Sequence, residues 1–312
     1  MTFSHRCSSL PSPAVKIALA VLTGLAIVLA GCQPDNRSAP TSNPRVLRIG
    51  LLPHQSADQT RAEFEPLFAF VSERIGHPHE LVIGHSYAEL LRLFHEGKID
   101  LAFFGGITYL MAARNDGAMP LAMRDIDTRF VSAFVVRADS TARSLEDMKG
   151  TVLAFGSSLS TSGHVMPRYF LERRGIHPES FFRKIVHTGG HDRTAYAVRD
   201  GQADVGVLDP DVLDAMTSDG RMDPGQLRML WMTPPYPNYV IAVRADLDRR
   251  LCDTIRDALL ALGMDNPGQA AILRRLNAGY FLPASPQDFK PLLEAASSLG
   301  LMPGPTKTKT WR

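Results

Sequence analysis

One seven-residue pattern occurs twice in this chain, and it restricts the fold more than any other feature. Glu96-Gly97-Lys98-Ile99-Asp100-Leu101-Ala102 is echoed by Asp200-Gly201-Gln202-Ala203-Asp204-Val205-Gly206. In each copy a helix ends on a glycine suited to a left-handed cap and turns at once into an apolar strand. The flanking sequence completes each unit. The first has a strand at Leu81 to Ile83 and a helix from Tyr87 to Glu96, with Ser86 as its cap and Glu89 closing a capping box. The second has a strand at Lys184 to Val186, the loop His187 to Gly190 and a helix from Asp192 to Asp200. Two such strand–helix–strand units imply two parallel sheets, each covered by helices, so an α/β architecture.

The remaining elements extend this plan. Arg45 to Leu51 reads as a strand, and Thr60 to Ile75 as a helix with the stripe Phe64, Leu67, Phe68 and Val71. Asp100 to Phe104 and Asp204 to Leu208 are the strands that end the two units. Val131 to Arg137 and Tyr239 to Arg244 are similar β-rich runs, each followed by an acidic, helix-starting patch. They read as two crossings between lobes. The expected first lobe is therefore residues 45–136 plus 240–312, and the second is the insertion 137–239. Ligands of open α/β sheets sit beyond the carboxyl ends of the strands, so the two lobes should face each other across one cleft and close on a hinge.

The N-terminus reads as an export signal. Arg6 and Lys16 precede the apolar run Ile17 to Ala30, which is shorter than the roughly 20 residues of a membrane span. Leu29-Ala30-Gly31-Cys32 resembles the lipobox of bacterial lipoproteins, which implies cleavage after residue 31 and lipid on Cys32. Residues 33–44 are polar and rich in Pro, Ser and Asn, so 32–44 is expected to be a flexible tether. The expected location is the cell envelope, lipid-anchored on the periplasmic side of a bacterial membrane. Of the chain's three cysteines, cleavage removes Cys7 and lipid takes Cys32, leaving Cys252 as a core residue beside Leu251, Ile255 and Leu259. The formal charge of +2 includes Arg6 and Lys16, so the processed chain is near neutral. No basic block with interleaved aromatics points to nucleic acid, and no His or Cys spacing points to a metal. No cofactor is expected, and the protein is expected to be a monomer.

The chemistry concentrates at Ser160-Thr161-Ser162-Gly163. This run follows the strand Thr151 to Phe155 and precedes a helix read from His164 to Arg174, with Pro167 in its first turn and Gly175 past its end. Three hydroxyls at a helix N-terminus suit a tetrahedral oxyanion, because unpaired N–H groups and the positive end of the dipole lie there. The plainer reading is that one of them caps the helix. His191 begins the helix after the second unit's loop, beside Gly189-Gly190, where backbone can approach a ligand. A His there can donate to an anion, and a dianion would favour its protonated form.

Together these motifs resemble the periplasmic substrate-binding proteins of phosphonate and phosphite ABC transporters. The resemblance covers nearly all of the chain after the tether. It is carried by Ser86-Tyr87-Ala88, Gly97 to Gly105, Ser160 to Gly163 with Pro167, Gly190-His191-Asp192 with Ala195 and Ala197-Val198, and Asp204-Val205. It implies a two-lobed, type II-like periplasmic-binding-protein fold, each lobe a mostly parallel sheet flanked by helices. It also implies that Ser160, Thr161, Ser162 and His191 hold the oxyanion, that Tyr87 contacts it from a helix start, and that an ABC permease is the partner. Interfacial packing is the equal alternative for Tyr87. Weaker cleft candidates are Asp211, Tyr239, Thr108 and His54. Tyr239 stands where amine-binding relatives place an acid, so a ligand without an amine fits better: phosphite, a simple alkylphosphonate or phosphate. Asp209 or Asp211 is placed to accept a hydrogen bond from a protonated ligand oxygen, with helix capping the plainer role of Asp209.

Other functions remain open on sequence alone. A sulfonate or thiamine-precursor binder shares the fold, and so does a ligand-sensing partner of a membrane receptor. An enzyme built on Ser160, His191 and Asp209 is disfavoured, because no Gly-x-Ser-x-Gly elbow follows the strand and three adjacent hydroxyls suit binding.

Overall fold

The structure, a computed structural model, describes residues 45–302 together with Thr2. The rest of the expected signal segment, Cys32 and the tether lie outside the described residues. The first half runs β1 (Leu47–Leu51), α1 (Ala57–Ile75), β2 (His79–Ile83), α2 (Tyr87–His95), β3 (Leu101–Phe104), α3 (Gly106–Asp116) and β4 (Met119–Arg124). The insertion runs β5 (Ala133–Arg137), β6 (Val152–Phe155), α4 (Met166–Arg173), α5 (Pro178–Phe181), β7 (Lys184–His187), α6 (His191–Arg199), β8 (Val205–Leu208), α7 (Pro210–Ser218) and β9 (Leu227–Met232). The chain then returns through β10 (Val240–Val243), α8 (Arg249–Leu260), α9 (Pro267–Arg275), β11 (Phe281–Pro283) and α10 (Lys290–Ser298).

Two sheets result, ordered β2-β1-β3-β10-β4-β11 and β7-β6-β8-β5-β9. The repeat governs both. β1 pairs in parallel with β2 and β3, and β6 pairs in parallel with β7 and β8. Gly97 and Gly201 cap their helices at φ 69° and 72°, the left-handed region in which glycine has no Cβ penalty. The two aspartates repeat as well. The Asp100 carboxylate accepts from the Arg48 N–H at 2.9 Å, and the Asp204 carboxylate accepts from the Val152 N–H at 2.8 Å. Each thus ties the start of its lobe's central strand to the strand that follows the helix.

Beyond the three parallel strands the expectation of mostly parallel sheets gives way. β10 runs antiparallel to both β3 and β4, and β5 runs antiparallel to both β8 and β9. The reason is connectivity: β5 and β10 each enter their sheet from a crossing rather than over a helix. One lobe limit also moves. Ala133–Arg137, placed with the first lobe up to residue 136, forms β5 of the second sheet. The crossings lie at its N-terminal side. There Phe130 bridges Tyr236, and the Thr233 N–H donates to the Ser132 carbonyl at 3.0 Å.

The largest core packs α1, α2, α3, α8 and α10 on the first sheet, with Phe64, Phe68, Phe94, Phe104 and Phe289 fully buried. Cys252 lies in this core beside Ile255 and Leu259 on α8. The second sheet is covered on both faces, by Phe134, Leu153 and Phe155 with Leu171 on one side and by Ala154 with Ala195, Val198 and Met216 on the other.

Candidate functional site

The loops after β1, β2 and β3 face those after β6, β7 and β8. Tyr87, Ser160, Thr161, Ser162, His191, Asp209 and Tyr239 come together there, each no more than 4% exposed. The hydroxyl run is already part of a helix. A wide first turn covers Thr161–Val165 and leads into α4, so the helical path starts three residues earlier than the expected His164. Pro167 explains the widening. It has no N–H for the Gly163 carbonyl, which instead accepts from the Gly156 N–H at 2.8 Å.

Each hydroxyl of the run has a different neighbour. Ser160 is the helix cap: its Oγ accepts from the Gly163 N–H at 2.9 Å. The Tyr87 hydroxyl lies against the same side chain. Thr161 reaches across the cleft, where its Oγ1 accepts from the Ile107 N–H at the start of α3, at 2.9 Å. Ser162 lies beside the Tyr239 hydroxyl, and its carbonyl accepts from Ser132 Oγ at 2.7 Å. Thr108 is not available to a ligand through its hydroxyl proton, which it gives to the Gly105 carbonyl at 2.9 Å inside its own helix start.

His191 is the sharpest element. Its Nδ1 accepts from the Asp209 N–H at 3.1 Å. That bond puts the ring proton on Nε2, and Nε2 is buried with no partner. Burial first, and then the charge of His54, push the imidazole down to about 3. His191 is therefore a neutral donor with a fixed tautomer. Burial and the Asp209 N–H on Nδ1, which a second ring proton would displace, both oppose the protonated form that a bound dianion is expected to favour.

Asp209 caps α7, accepting from the Asp211 N–H at 2.9 Å, and its other oxygen accepts from the Tyr239 hydroxyl at 3.1 Å. Burial, and then the neighbouring Asp211, push its carboxyl up to about 7. Burial also holds the Tyr87 and Tyr239 phenols far above their ordinary range, so both stay protonated donors. Asp211 is turned away from the hydroxyl run and accepts from the Asn277 amide of the first lobe at 2.8 Å.

His54 sits on the first-lobe side. Its Nδ1 lies 3.1 Å from the Leu52 carbonyl and its Nε2 3.1 Å from Glu63 of α1. Its own carbonyl accepts from the His191 N–H at 2.9 Å, joining the lobes. Next to it, a cavity of about 520 Å³ opens between the lobes, lined by Glu63, Arg124, Asp209, Asp211, Arg221 and Tyr239 among others. Two residues here escaped the sequence reading. Glu63 is an acid beside the stripe residue Phe64 of α1. Arg124 is a buried guanidinium paired with Asp127 at 2.7 Å and lying over the Phe103 and Tyr239 rings. Among the described residues, no group of three or more His, Cys, Asp or Glu side chains is arranged to hold a metal ion.

Residues 49–289 match the family model described as ABC transporter, phosphonate, periplasmic substrate-binding protein. The chain belongs to that family. Among its relatives, the probable ABC transporter phosphite binding protein PhnD1 of Prochlorococcus marinus is 28% identical over 270 residues, which are 83% of this chain and 91% of that protein. The phosphate-import protein PhnD of Mycolicibacterium smegmatis is 26% identical over 255 residues, 78% of this chain and 79% of that one. The solved structure of the Prochlorococcus PhnD1 in complex with methylphosphonate superposes with a TM-score of 0.78 at 27% identity, covering 83% of this chain and all of that one. The fold of this family member is therefore the two-lobed periplasmic-binding-protein fold, with two mixed sheets flanked by helices. Its family is one of transport proteins that bind substrate. Among the described residues, no helix is long and apolar enough to cross a membrane.

Proposed function

We propose that this protein is the lipid-anchored binding component of an importer, capturing a phosphorus oxyanion through Ser160, Thr161, Ser162, His191 and Tyr87 and delivering it to an ABC permease. One observation carries the ligand class: the buried, unpartnered Nε2–H of His191. An unpaired buried donor costs about 1–3 kcal/mol, and an oxyanion lodged against it would remove that cost. The donors around it are neutral hydroxyls and a neutral imidazole, which suit an anion that keeps part of its own proton.

Asp209 favours phosphorus over sulfur. Its carboxyl has a proton affinity near neutrality, as a phosphonate, phosphite or phosphate has for its last proton, so site and ligand are suited to share one. A sulfonate or sulfate brings no proton and would meet a carboxylate. Anchoring rests on Leu29-Ala30-Gly31-Cys32.

The test is calorimetric titration with methylphosphonate, phosphite, phosphate, sulfate and methanesulfonate. The phosphorus anions are expected to bind and the sulfur anions not. His191→Ala is expected to weaken binding by roughly tenfold to a hundredfold, the worth of a charge-assisted hydrogen bond. Equal affinity for sulfate and phosphite would refute the assignment.

A further inference from the structure

The groups set against a ligand in the second lobe are uncharged or acidic, yet a charge stands directly behind them. Both ring nitrogens of His54 face oxygens that only accept: the Leu52 carbonyl and the Glu63 carboxylate, each at 3.1 Å. The Gln55 amide nitrogen lies 3.5 Å from Nε2, but it donates to Glu63 at 2.9 Å. A ring placed between two acceptors carries two protons, and is an imidazolium. Burial works against that charge. The Glu63 carboxylate and the hydrogen bonds to Glu63 and Leu52 outweigh it and hold His54 above its ordinary range, while Glu63 is held below its own.

The surroundings of this cation are defined on every side. α1 contributes Glu63 and the edge of Phe64, 6.1 Å away between ring centroids. The return crossing contributes Tyr239 at 6.4 Å. The second lobe contributes Asp209, whose charge favours the imidazolium, and His191, whose proton affinity the imidazolium lowers. Arg124 acts on Glu63 from β4, and Arg221 reaches the loop by donating to Gln55 Oε1 at 3.3 Å. His54 also holds the lobes together, since its carbonyl takes the N–H of His191, the first residue of α6.

We propose that His54 is a positioning residue: clamped by Glu63, it fixes the loop that holds His191 across the cleft and supplies the positive charge that the ligand-facing donors lack, so that oxyanion capture weakens as His54 loses its proton. This rests on the ligand class assigned above. It also gives Glu63, through its contact with His54, control over the pH at which capture fails.

His54 has its proton affinity raised in the folded protein, so its contribution is present at low pH and is lost as pH rises through that raised value. Removing the Glu63 charge lowers the proton affinity and moves the loss to lower pH. The test pairs ring-nitrogen NMR of histidine-labelled protein with methylphosphonate titrations from about pH 6 to about pH 9. Wild type is expected to show His54 protonated on both nitrogens at neutral pH. In Glu63→Gln, the ring titration and the fall in affinity should both move down by at least about one unit, so that the affinity gap to wild type widens to about tenfold on the alkaline side of the step and closes toward the acid end. His54→Gln should lose that step altogether. A neutral His54 ring in wild type at neutral pH would overturn the proposal. Affinity curves of Glu63→Gln and wild type that stay parallel across the range would overturn it as well. If Glu63→Gln does not fold, the wild-type ring state decides. Wild type that binds no methylphosphonate while its His54 is doubly protonated would instead refute the ligand class and leave the charge assignment standing.

Discussion

The two lobes share a scaffold and divide the chemistry. In each, a central strand is followed by a loop and helix, a second strand by a loop and helix, and a third strand by a further helix start. Tyr87 and His191 hold the same place, each the first residue of the helix after the second strand. Gly105 and Asp209 are the N-caps after the third strand. What differs is the side chain at each place. The second lobe offers hydroxyls and a neutral imidazole, while the first offers a phenol, a paired imidazolium and the backbone N–H groups of a helix start. Ile107 gives one of those N–H groups to Thr161. Duplicated topology places six strand ends at one cleft, and the loops decide what each side brings to it.

The sharpest way to break this division is Thr161→Val. That change removes a proposed ligand donor and strands the Ile107 N–H at a buried helix start. The two losses together are worth about 2.5–6 kcal/mol, so affinity should fall at least roughly a hundredfold. Calorimetry on Thr161→Val and Ser160→Ala compares them directly. Ser160 caps within its own lobe, so its replacement should cost less affinity and lower the apo melting temperature instead. Equal losses of affinity in the two would erase the distinction between a donor shared across the cleft and a local cap.

A smaller effect concerns Asp209 and pH. Its carboxyl is raised to about 7 by burial and by Asp211. A raised acid stabilises the fold at low pH, and that contribution is lost as pH rises toward the raised value. Asp209→Asn should therefore raise the apo melting temperature above that of wild type near pH 8 and change it less near pH 5, by about 2–4 °C for each kcal/mol relieved. Melting curves at the two pH values check this. A larger gain at the lower pH would contradict the sign.

Much of the scaffold is legible in the residues themselves. The helix stops at Gly97 and Gly201, the Ser86 cap and the apolar stripe of α1 are local signals with local causes. The Ser86 box is itself slightly displaced, since Glu89 accepts from the His85 N–H at 2.7 Å rather than from its cap residue. The sheet membership of Ala133–Arg137 is not local. An apolar strand carries no mark of which partner it will pair with, and β5 is claimed by β8 and β9 from far along the chain. The site divides in the same way. Ser160, Thr161, Ser162 and His191 declare themselves by their place at helix starts. The tautomer of His191 depends on a backbone N–H eighteen residues away, and the charge of His54 depends on a helix acid that looks like any solvated one.

The smallest effect sharpens the shared half of the comparison. Gly97→Ala and Gly201→Ala each force a Cβ into the left-handed region at equivalent turns, at a cost of about 1–2 kcal/mol. No backbone atom crowds either position: the nearest neighbours of an added Cβ are the Arg244 and Arg137 guanidiniums, at 3.2 and 3.6 Å. Both variants should lose similar stability in denaturant melts, with affinity unchanged. A loss at one glycine several times that at the other would show that the scaffold repeat is only superficial.

A neutral His191, its tautomer set by the Asp209 N–H, should give its Nε2 proton to a phosphorus oxyanion. NMR of histidine-labelled protein saturated with methylphosphonate tests this most directly. The expected spectrum has the His191 proton on Nε2 and none on Nδ1, with a scalar coupling from that nitrogen to phosphorus through the hydrogen bond. A His191 ring protonated on Nδ1, or one whose Nε2 signal does not change on adding the ligand, would contradict it.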